Sequence, residues 1–152
     1  MNHVTVRQAG LFDLEALVPM FDRYRQFYGR PSNIEAAREF LLARFNHNES
    51  ILFIAHDKDD NAVGFTQLYP SFSSASLARI FILNDLFVEE HARRKGVATL
   101  LMNAANQYAN KLGAARLTLS TAVTNKTAQT VYESNAWKRD EDFFVYHLTL
   151  KS

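Results

Sequence analysis

The stretch of the chain most suited to chemistry lies between residues 83 and 98. Asp85 stands in an apolar run that is typical of a buried strand, and the basic residues 93–95 follow after a short interval. Gly96 then occupies the position where a helix should begin, which lets a ligand approach the backbone closely. Exposed N–H groups at a helix start, with cations beside them, are suited to binding a pyrophosphate. A phosphate site near a candidate base indicates group transfer from a phosphate-bearing carrier.

Composition limits the class of protein. The chain has 152 residues, of which 47% are hydrophobic, and we predict one domain over residues 1–152. The net charge of +1 is too small for a broadly basic surface, so we expect no nucleic-acid partner. No cysteine is present, which excludes disulfides, zinc–thiolate sites and cysteine nucleophiles. The five histidines are scattered without ligand spacing, and we predict no metal.

The sequence also bears on location. No apolar run reaches the length of a membrane span, about 18 residues, so we expect no membrane partner. The first residues lack the basic-then-apolar layout of a signal peptide. We therefore expect a soluble, cytoplasmic protein.

Hydrophobic periodicity predicts the elements that must position these residues. A helix should begin at Leu14, with Pro19 inside it as a kink or a break. A capping box at residues 32–35 predicts a second helix from Asn33 to about Phe45. The remaining predicted elements are strands at 4–8, 50–56, 62–69, 77–88 and 116–120, helices at 97–112 and 127–134, a loop at 70–76, and a final hairpin from 137–139 and 143–150.

This order of elements sets the fold class. Strands, helices and hairpins follow one another as β-α-α-β-β-β-α-β-α-β-β, without a repeat or a linker. We predict an α/β (α+β) fold with a mixed, mostly antiparallel central sheet flanked by helices.

The basic loop fits a known six-residue pattern. Arg93-Arg94-Lys95-Gly96-Val97-Ala98 matches Arg/Gln-x-x-Gly-x-Gly/Ala, after a predicted strand and at the start of a predicted helix. It is not the dinucleotide pattern, which needs more glycines, and no Gly-Lys-Ser/Thr follows as in a P-loop. The loop resembles the acyl-CoA-binding loop of the GCN5-related N-acetyltransferase (GNAT) superfamily. The alternative is a basic helix start on the surface.

A second match lies downstream. Residues 125–137 resemble the superfamily signature Asn-x-x-Ala-x-x-x-Tyr-x-x-x-Gly-Phe/Trp, with Ala136 where glycine is usual. Within the superfamily, residues 83–88 with this signature look most like the diamine and spermidine acetyltransferase branch and its protein-acetylating relatives. Members there often carry Glu-Asp where this chain has Asn84-Asp85. The resemblance implies a GNAT-like fold for the single domain, with acetyl-CoA as co-substrate.

Two residues are candidates for the proton transfers of such a reaction. An alkylamine has a pKa near 10.4 and must lose a proton before it attacks. Asp85 is the candidate base, directly or through a water, and the alternative is a strand carboxylate that binds a cationic substrate. Tyr132 is the candidate general acid for the departing thiolate. The alternative for Tyr132 is a core aromatic on a short helix.

The resemblance also assigns residues to the carrier. The main chain of Leu86, Phe87 and Val88 would pair with the pantetheine amides like an added strand, and the Phe87 or Val88 N–H would face the oxyanion. Asn125 and Ala128 would contact the carrier, while the alternative for Asn125 is a helix N-cap. The residues expected to bind the pyrophosphate are Arg93, Arg94, Lys95, Gly96, Val97, Ala98 and Thr99.

The acceptor should bind near the first helix. Asp22, Tyr24 and Tyr28 could hold an alkylammonium by charge and cation–π contacts, with Asn84 and Asp85 also in contact. The alternative is that these aromatics pack in the core.

Together these features predict an enzyme that moves an acetyl group from acetyl-CoA to a primary amine, on a small amine or diamine. One alternative is a protein or peptide lysine acetyltransferase. Another is a non-catalytic acyl-CoA sensor, which is an alternative because Asn84 and Ala136 depart from the family pattern. Dimers are common among resembling enzymes, which leaves a homodimer open.

Overall fold

Five strands form one sheet in the order β1-β2-β3-β4-β5. The structure is a computed structural model, and it describes residues 3–151. Neighbouring strands are antiparallel except β4 and β5, which are parallel. The predicted fold class is confirmed. The elements are β1 (Thr5–Gln8), α1 (Leu14–Phe27), α2 (Ile34–Asn46), β2 (Ile51–His56), β3 (Ala62–Ser73), β4 (Ala78–Val88), α3 (Val97–Lys111), β5 (Leu117–Thr118) and α4 (Lys126–Ser134).

The sheet is covered on both faces, which explains the continuous apolar runs of its central strands. On one face, side chains of α1 and α2 such as Leu17 and Leu41 form a buried cluster with Ile54 and Phe65. On the other face, the ring of Tyr108 from α3 meets the rings of Phe53 and Phe81, with centroids 5.7 and 5.6 Å apart. Alternate residues of the same strand therefore serve two different layers.

The hairpin of β3 and β4 is longer than predicted. The expected loop at 70–76 is instead mostly strand, because β3 runs to Ser73 and Pro70 pairs with Phe81. Pro70 is tolerated there because the pairing of β3 with β2 covers only Ala62 to Leu68, so β2 requires no N–H from Pro70. The loop was predicted because residues 70–76 are rich in serine, and the pairing with β4 outweighs that local preference.

Pro19 neither breaks nor ends α1, which is a single helix of 14 residues. Proline removes one intrahelical hydrogen bond, a loss that packing of the buried helix face outweighs here. Within residues 3–151, no helix has the length and apolar character needed to cross a membrane.

Contacts divide the chain into two compact units, Met1–Ser120 and Thr121–Ser152. The first unit contains the sheet and α1 to α3, and the second contains α4. The predicted hairpin of residues 137–139 and 143–150 is not observed, since no strand is assigned from 136 to 151 in the described chain. A hairpin of two strands alone is marginally stable, and the described part of this unit provides no third strand.

Candidate active site

The acceptor side of the candidate site is built on an irregularity in β4. Gln67 pairs with Asp85 and Leu68 pairs with Leu83, which leaves Asn84 as an extra residue in a β-bulge. The backbone carbonyl of Asn84 accepts a hydrogen bond from the Tyr24 hydroxyl at 3.1 Å. The bulge thereby docks α1 onto β4 next to the candidate base.

Asp85 is a buried carboxylate, with 3% of the residue exposed. Its Oδ2 accepts a hydrogen bond from Gln67 Nε2 at 2.6 Å, and its Oδ1 accepts one from Asn84 Nδ2 at 3.1 Å. Burial raises the pKa of Asp85 above its ordinary value, and hydrogen bonds from Gln67, Tyr24 and Asn84 oppose this only in part. A carboxylate in this state has increased affinity for a proton, as a general base requires.

Gln67 is a site residue that the sequence analysis missed. Its side chain is fully buried, and Nε2 holds Asp85 across the strand pair while Oε1 has no hydrogen-bond donor in the described chain. The hydroxyl of neighbouring Thr66 donates to the Asp85 carbonyl at 2.8 Å. The sequence did contain a signal for this residue, because Thr66 and Gln67 are two adjacent polar residues inside an otherwise apolar strand. Gln67 is therefore a positioning residue for Asp85.

A cavity of about 670 Å³ lies in the first unit beside Asp85. Four of the five predicted acceptor residues line it, namely Tyr24, Tyr28, Asn84 and Asp85. The rings of Tyr24 and Tyr28 meet edge to face with centroids 5.0 Å apart. Tyr69 also lines the cavity, and burial together with the charge of Asp85 raises the pKa of its hydroxyl. Tyr69 therefore stays protonated and can donate to a ligand.

Asp22, the fifth predicted acceptor residue, is not brought to the cavity. Its Oδ2 accepts from Ser32 Oγ at 2.7 Å and its Oδ1 accepts from the Asn33 N–H at 2.8 Å. Although burial opposes ionisation, these hydrogen bonds lower the pKa of Asp22 overall. The hydrogen bonds of Asp22 thus connect α1 to the start of α2, where Asn33 is the N-cap. We correct its predicted role from substrate binding to structure.

Two further residues that the sequence analysis did not single out line the same cavity. Arg25 lies on the last turns of α1, and Arg30 follows in the loop to α2. Nothing in their local sequence points to a ligand, because only the tertiary structure brings them to the cavity that contains Asp85.

The carrier side of the candidate site begins at the open edge of β4. β5 pairs with β4 only at Phe81 and Ile82, so within the described sheet residues 83–88 have a strand neighbour on the β3 side alone. An extended ligand can pair with such an edge through its amide groups. Phe87 packs in the core cluster, so only its backbone is suited to that contact.

The basic loop connects this edge to α3. Arg93 Nε donates to the Val88 carbonyl at 2.8 Å, and Lys95 Nζ donates to the His91 carbonyl at 3.3 Å. Arg94 is exposed and has no hydrogen bond or ion pair within residues 3–151. Of the three predicted cations, Arg94 is therefore the best placed to meet a phosphate.

The start of α3 has the geometry expected of an anion site. Gly96 is the N-cap with φ of 81°, and no side chain caps the helix. A Cβ at Gly96 would meet no atom within 4 Å, so the approach to the first N–H groups is open. Val97 is buried, while Ala98 and Thr99 are half-buried in the first turn. Val97 can thus contact a phosphate through its backbone alone.

In the second unit, the residues of the downstream signature have local structural roles. The side chain of Asn125 caps α4 by accepting from the Ala128 N–H at 3.2 Å, as the alternative interpretation expected. The rings of Tyr132 and Trp137 have centroids 6.3 Å apart. Contact of Asn125, Ala128 and Tyr132 with a carrier stays a prediction.

The last residues of the same signature form the C-terminal cap of α4. The Trp137 N–H donates to the Tyr132 carbonyl at 3.1 Å and the Ala136 N–H donates to the Glu133 carbonyl at 3.3 Å, which defines a Schellman motif. Ala136 takes φ of 72° there. This explains why glycine is usual at that position of the signature, since glycine adopts positive φ without strain.

We therefore expect the Ala136→Gly variant to be more stable than the wild type. Relief of left-handed strain of about 1–2 kcal/mol exceeds the added unfolded-state entropy of about 0.4–1 kcal/mol, so the net gain should be roughly 0.5–1 kcal/mol. Urea unfolding checks this value. A less stable variant would contradict the account of residue 136.

Comparison with known proteins identifies the family of this chain. The chain matches the model of the acetyltransferase (GNAT) family over residues 17–137. It is 45% identical over 147 residues to a Bacillus subtilis (strain 168) protein named "Uncharacterized N-acetyltransferase YhfO", covering 97% of this chain and 98% of that protein. It is 34% identical over 146 residues to a Haemophilus influenzae (strain ATCC 51907 / DSM 11121 / KW20 / Rd) protein named "Probable acetyltransferase", covering 94% of this chain and 96% of that protein. A crystal structure of a probable acetyltransferase has a TM-score of 0.93 and 45% identity, covering 97% of this chain and 99% of that chain.

Proposed function

The chain belongs to the acetyltransferase (GNAT) family, and on that premise we propose that it transfers the acetyl group of acetyl-CoA to the primary amine of a small molecule. It is an acetyl-CoA-dependent N-acetyltransferase. One observation carries the proposal. The buried carboxylate of Asp85 lines a cavity of small-molecule size, on the strand whose open edge leads to the anion site.

Asp85 acts first, as the base that neutralises the acceptor ammonium. Its raised pKa favours protonation, and Gln67 holds Oδ2 in place for the transfer. The freed amine attacks the thioester carbon, so a C–N bond forms and the carbonyl becomes an oxyanion. A backbone N–H at Phe87 or Val88 donates to that oxyanion. Collapse breaks the C–S bond, and the thiolate takes a proton from Tyr132. The attacking nitrogen gives its second proton to the tyrosinate, which restores Tyr132, and the proton on Asp85 passes to solvent.

The carrier is held by main chain and by one free cation. The open edge of β4 pairs with the amides of pantetheine through Leu86, Phe87 and Val88. The start of α3 and the exposed Arg94 bind the pyrophosphate, because no side chain caps the helix and Arg94 has no hydrogen bond or ion pair within residues 3–151.

Replacing Tyr132 by phenylalanine should lower kcat by about 10²-fold or more while KM changes less. The loss follows from removal of the proton donor, since phenylalanine preserves ring packing on Trp137. Steady-state kinetics with acetyl-CoA and one acceptor give both constants, and urea unfolding provides the control for folding. An unchanged kcat would remove Tyr132 from the mechanism.

Thiol release from acetyl-CoA, measured against alkylamines, diamines, amino acids and lysine peptides, tests the proposed function. Turnover with small amines and a mass increase of one acetyl group on the amine support the proposal. Turnover on lysine peptides alone would replace it with protein acetylation. Binding of acetyl-CoA without turnover on any acceptor would favour the sensor alternative.

A further inference from the structure

The side chains at the end of α1 indicate what the acceptor carries besides its amine. All four α-helices of the described chain end in the same Schellman motif, in which the N–H of the second residue beyond the helix cap donates to a carbonyl five residues earlier. This motif brings the two side chains five residues apart close together, usually in an apolar contact.

In three helices the two paired side chains are compatible, because they have opposite charges, are both aromatic or are both small and apolar. At the end of α2, Arg44 and Glu49 form an ion pair at 3.3 Å. At the end of α4, the rings of Tyr132 and Trp137 are in contact, and the pair at the end of α3 consists of two alanines, Ala109 and Ala114.

The pair at the end of α1 is different, because it consists of two cations. The Arg30 N–H donates to the Arg25 carbonyl at 3.0 Å, so the two residues begin from neighbouring positions, and both line the same cavity. Neither side chain has a hydrogen bond or an ion pair within residues 3–151. Two cations that line one cavity without a counter-ion repel each other; Arg25 is half-buried and Arg30 is exposed.

The carboxylate of Asp22 does not neutralise these two cations. The charge of Arg25 acts on Asp22, but both carboxylate oxygens of Asp22 already accept hydrogen bonds from Ser32 and Asn33. Among the described residues of the same unit, four other arginines face a carboxylate directly, as Arg7 does with Asp13 at 2.7 Å. Arg25 and Arg30 instead face the cavity that contains Asp85.

We propose that the acceptor amine also carries a carboxylate, as an amino acid does, and that Arg25 and Arg30 together bind that carboxylate in the cavity. Guanidinium groups match carboxylate oxygens in geometry and charge, and a bound carboxylate relieves the repulsion between the two cations. The amine then lies at the Asp85 wall of the same cavity. A diamine or polyamine would bring a second cation to this positive end, which disfavours that acceptor class.

This inference rests on the proposed function, and its test separates the two. Acetylation is measured for ω-amino acids of two to six carbons and for alkylamines of the same lengths, which lack only the carboxylate. At the best length, kcat/KM for the amino acid should exceed that for the alkylamine by about tenfold or more. Calorimetric binding of the same compounds gives a readout besides turnover.

Variants of Arg25 and Arg30 test whether these two side chains cause the preference for the amino acid over the alkylamine. Arg25→Gln and Arg30→Gln should each lower the ratio of kcat/KM for amino acid to alkylamine by about tenfold. Arg38→Gln is the matched control, since Arg38 pairs with Glu15 on the surface and does not line the cavity, and its ratio should match the wild type.

The outcomes distinguish the two proposals. Equal or better use of the alkylamine, or ratios that the Arg25 and Arg30 variants leave unchanged, would overturn the inference while the proposed function stands. Amino acids that bind through these arginines, with no acetylation of any amino acid or alkylamine, would keep the carboxylate site and overturn the proposed function. Absence of both turnover and binding would overturn both.

Discussion

Replacing Asp85 by asparagine should lower kcat by about 10²- to 10⁴-fold, the usual contribution of a general base. Asparagine keeps the size of the side chain and can still accept from Gln67, but it cannot take a proton from the acceptor. The acid-side fall of kcat/KM with pH should also disappear, because that fall reports protonation of the raised-pKa carboxyl. Rate profiles across pH for wild type and variant check both expectations.

Stability should change in the opposite direction to activity. Burial raises the pKa of Asp85 in the folded state above the unfolded value of 3.8. Such a group stabilises the fold fully below its unfolded pKa, and that contribution is lost as the pH rises through the folded pKa. The variant lacks this titration, so its Tm relative to wild type should increase as the pH rises from the unfolded pKa of 3.8 through the raised folded pKa.

Asp22→Asn is the matched control, since Asp22 is equally buried at 3% exposure and does not line the cavity. Its pKa is lowered in the folded state, so its ionised form is stabilising, and that contribution is lost as the pH falls through the folded pKa. This variant should be less stable at neutral pH while its kcat stays close to wild type. Normal kcat in Asp85→Asn would exclude Asp85 as the base.

A glutamate at Gly96 should weaken acetyl-CoA binding by on the order of a hundredfold or more. The new carboxylate would lie at the open start of α3, where it competes with the pyrophosphate and repels it. Folding should survive, because the added side chain meets no atom within 4 Å and the strain at φ of 81° costs about 1–2 kcal/mol. Calorimetry with acetyl-CoA measures the affinity.

The chain offers a matched control for this variant at the other end of α3. Gly113 has φ of 72° and equally open surroundings, so Gly113→Glu adds the same charge with the same kind of backbone strain. Its acetyl-CoA affinity should equal that of the wild type. If Gly96→Glu also bound acetyl-CoA normally, the start of α3 would not be the pyrophosphate site.

Local signals were sufficient for several features of the site. The glycine after the basic residues 93–95 predicted a helix start that is open to an anion, and the structure has it at Gly96. The pattern from Asn125 to Trp137 predicted a short helix, and α4 begins and ends within it. Features of this kind depend on residues a few positions apart, whose hydrogen bonds form within one turn of chain.

Other features could not be predicted from local signals. The bulge at Asn84 depends on the register of β3 against β4, and the position of Gln67 opposite Asp85 follows from the same register. The serine-rich segment 70–76 was predicted to be a loop, whereas residues 70–73 belong to β3 through their pairing with β4.

By itself, then, the sequence determined the order of the elements as far as α4, the open helix start after the basic loop and the identity of the candidate base, Asp85. Only the tertiary structure decided which side chains share a cavity with that base: it brought Arg25 and Arg30 there and kept Asp22 away. The physical reason is that caps, turns and hydrophobic periods are set by neighbours along the chain. A cavity is formed by side chains from distant segments, and their meeting depends on strand register and helix packing.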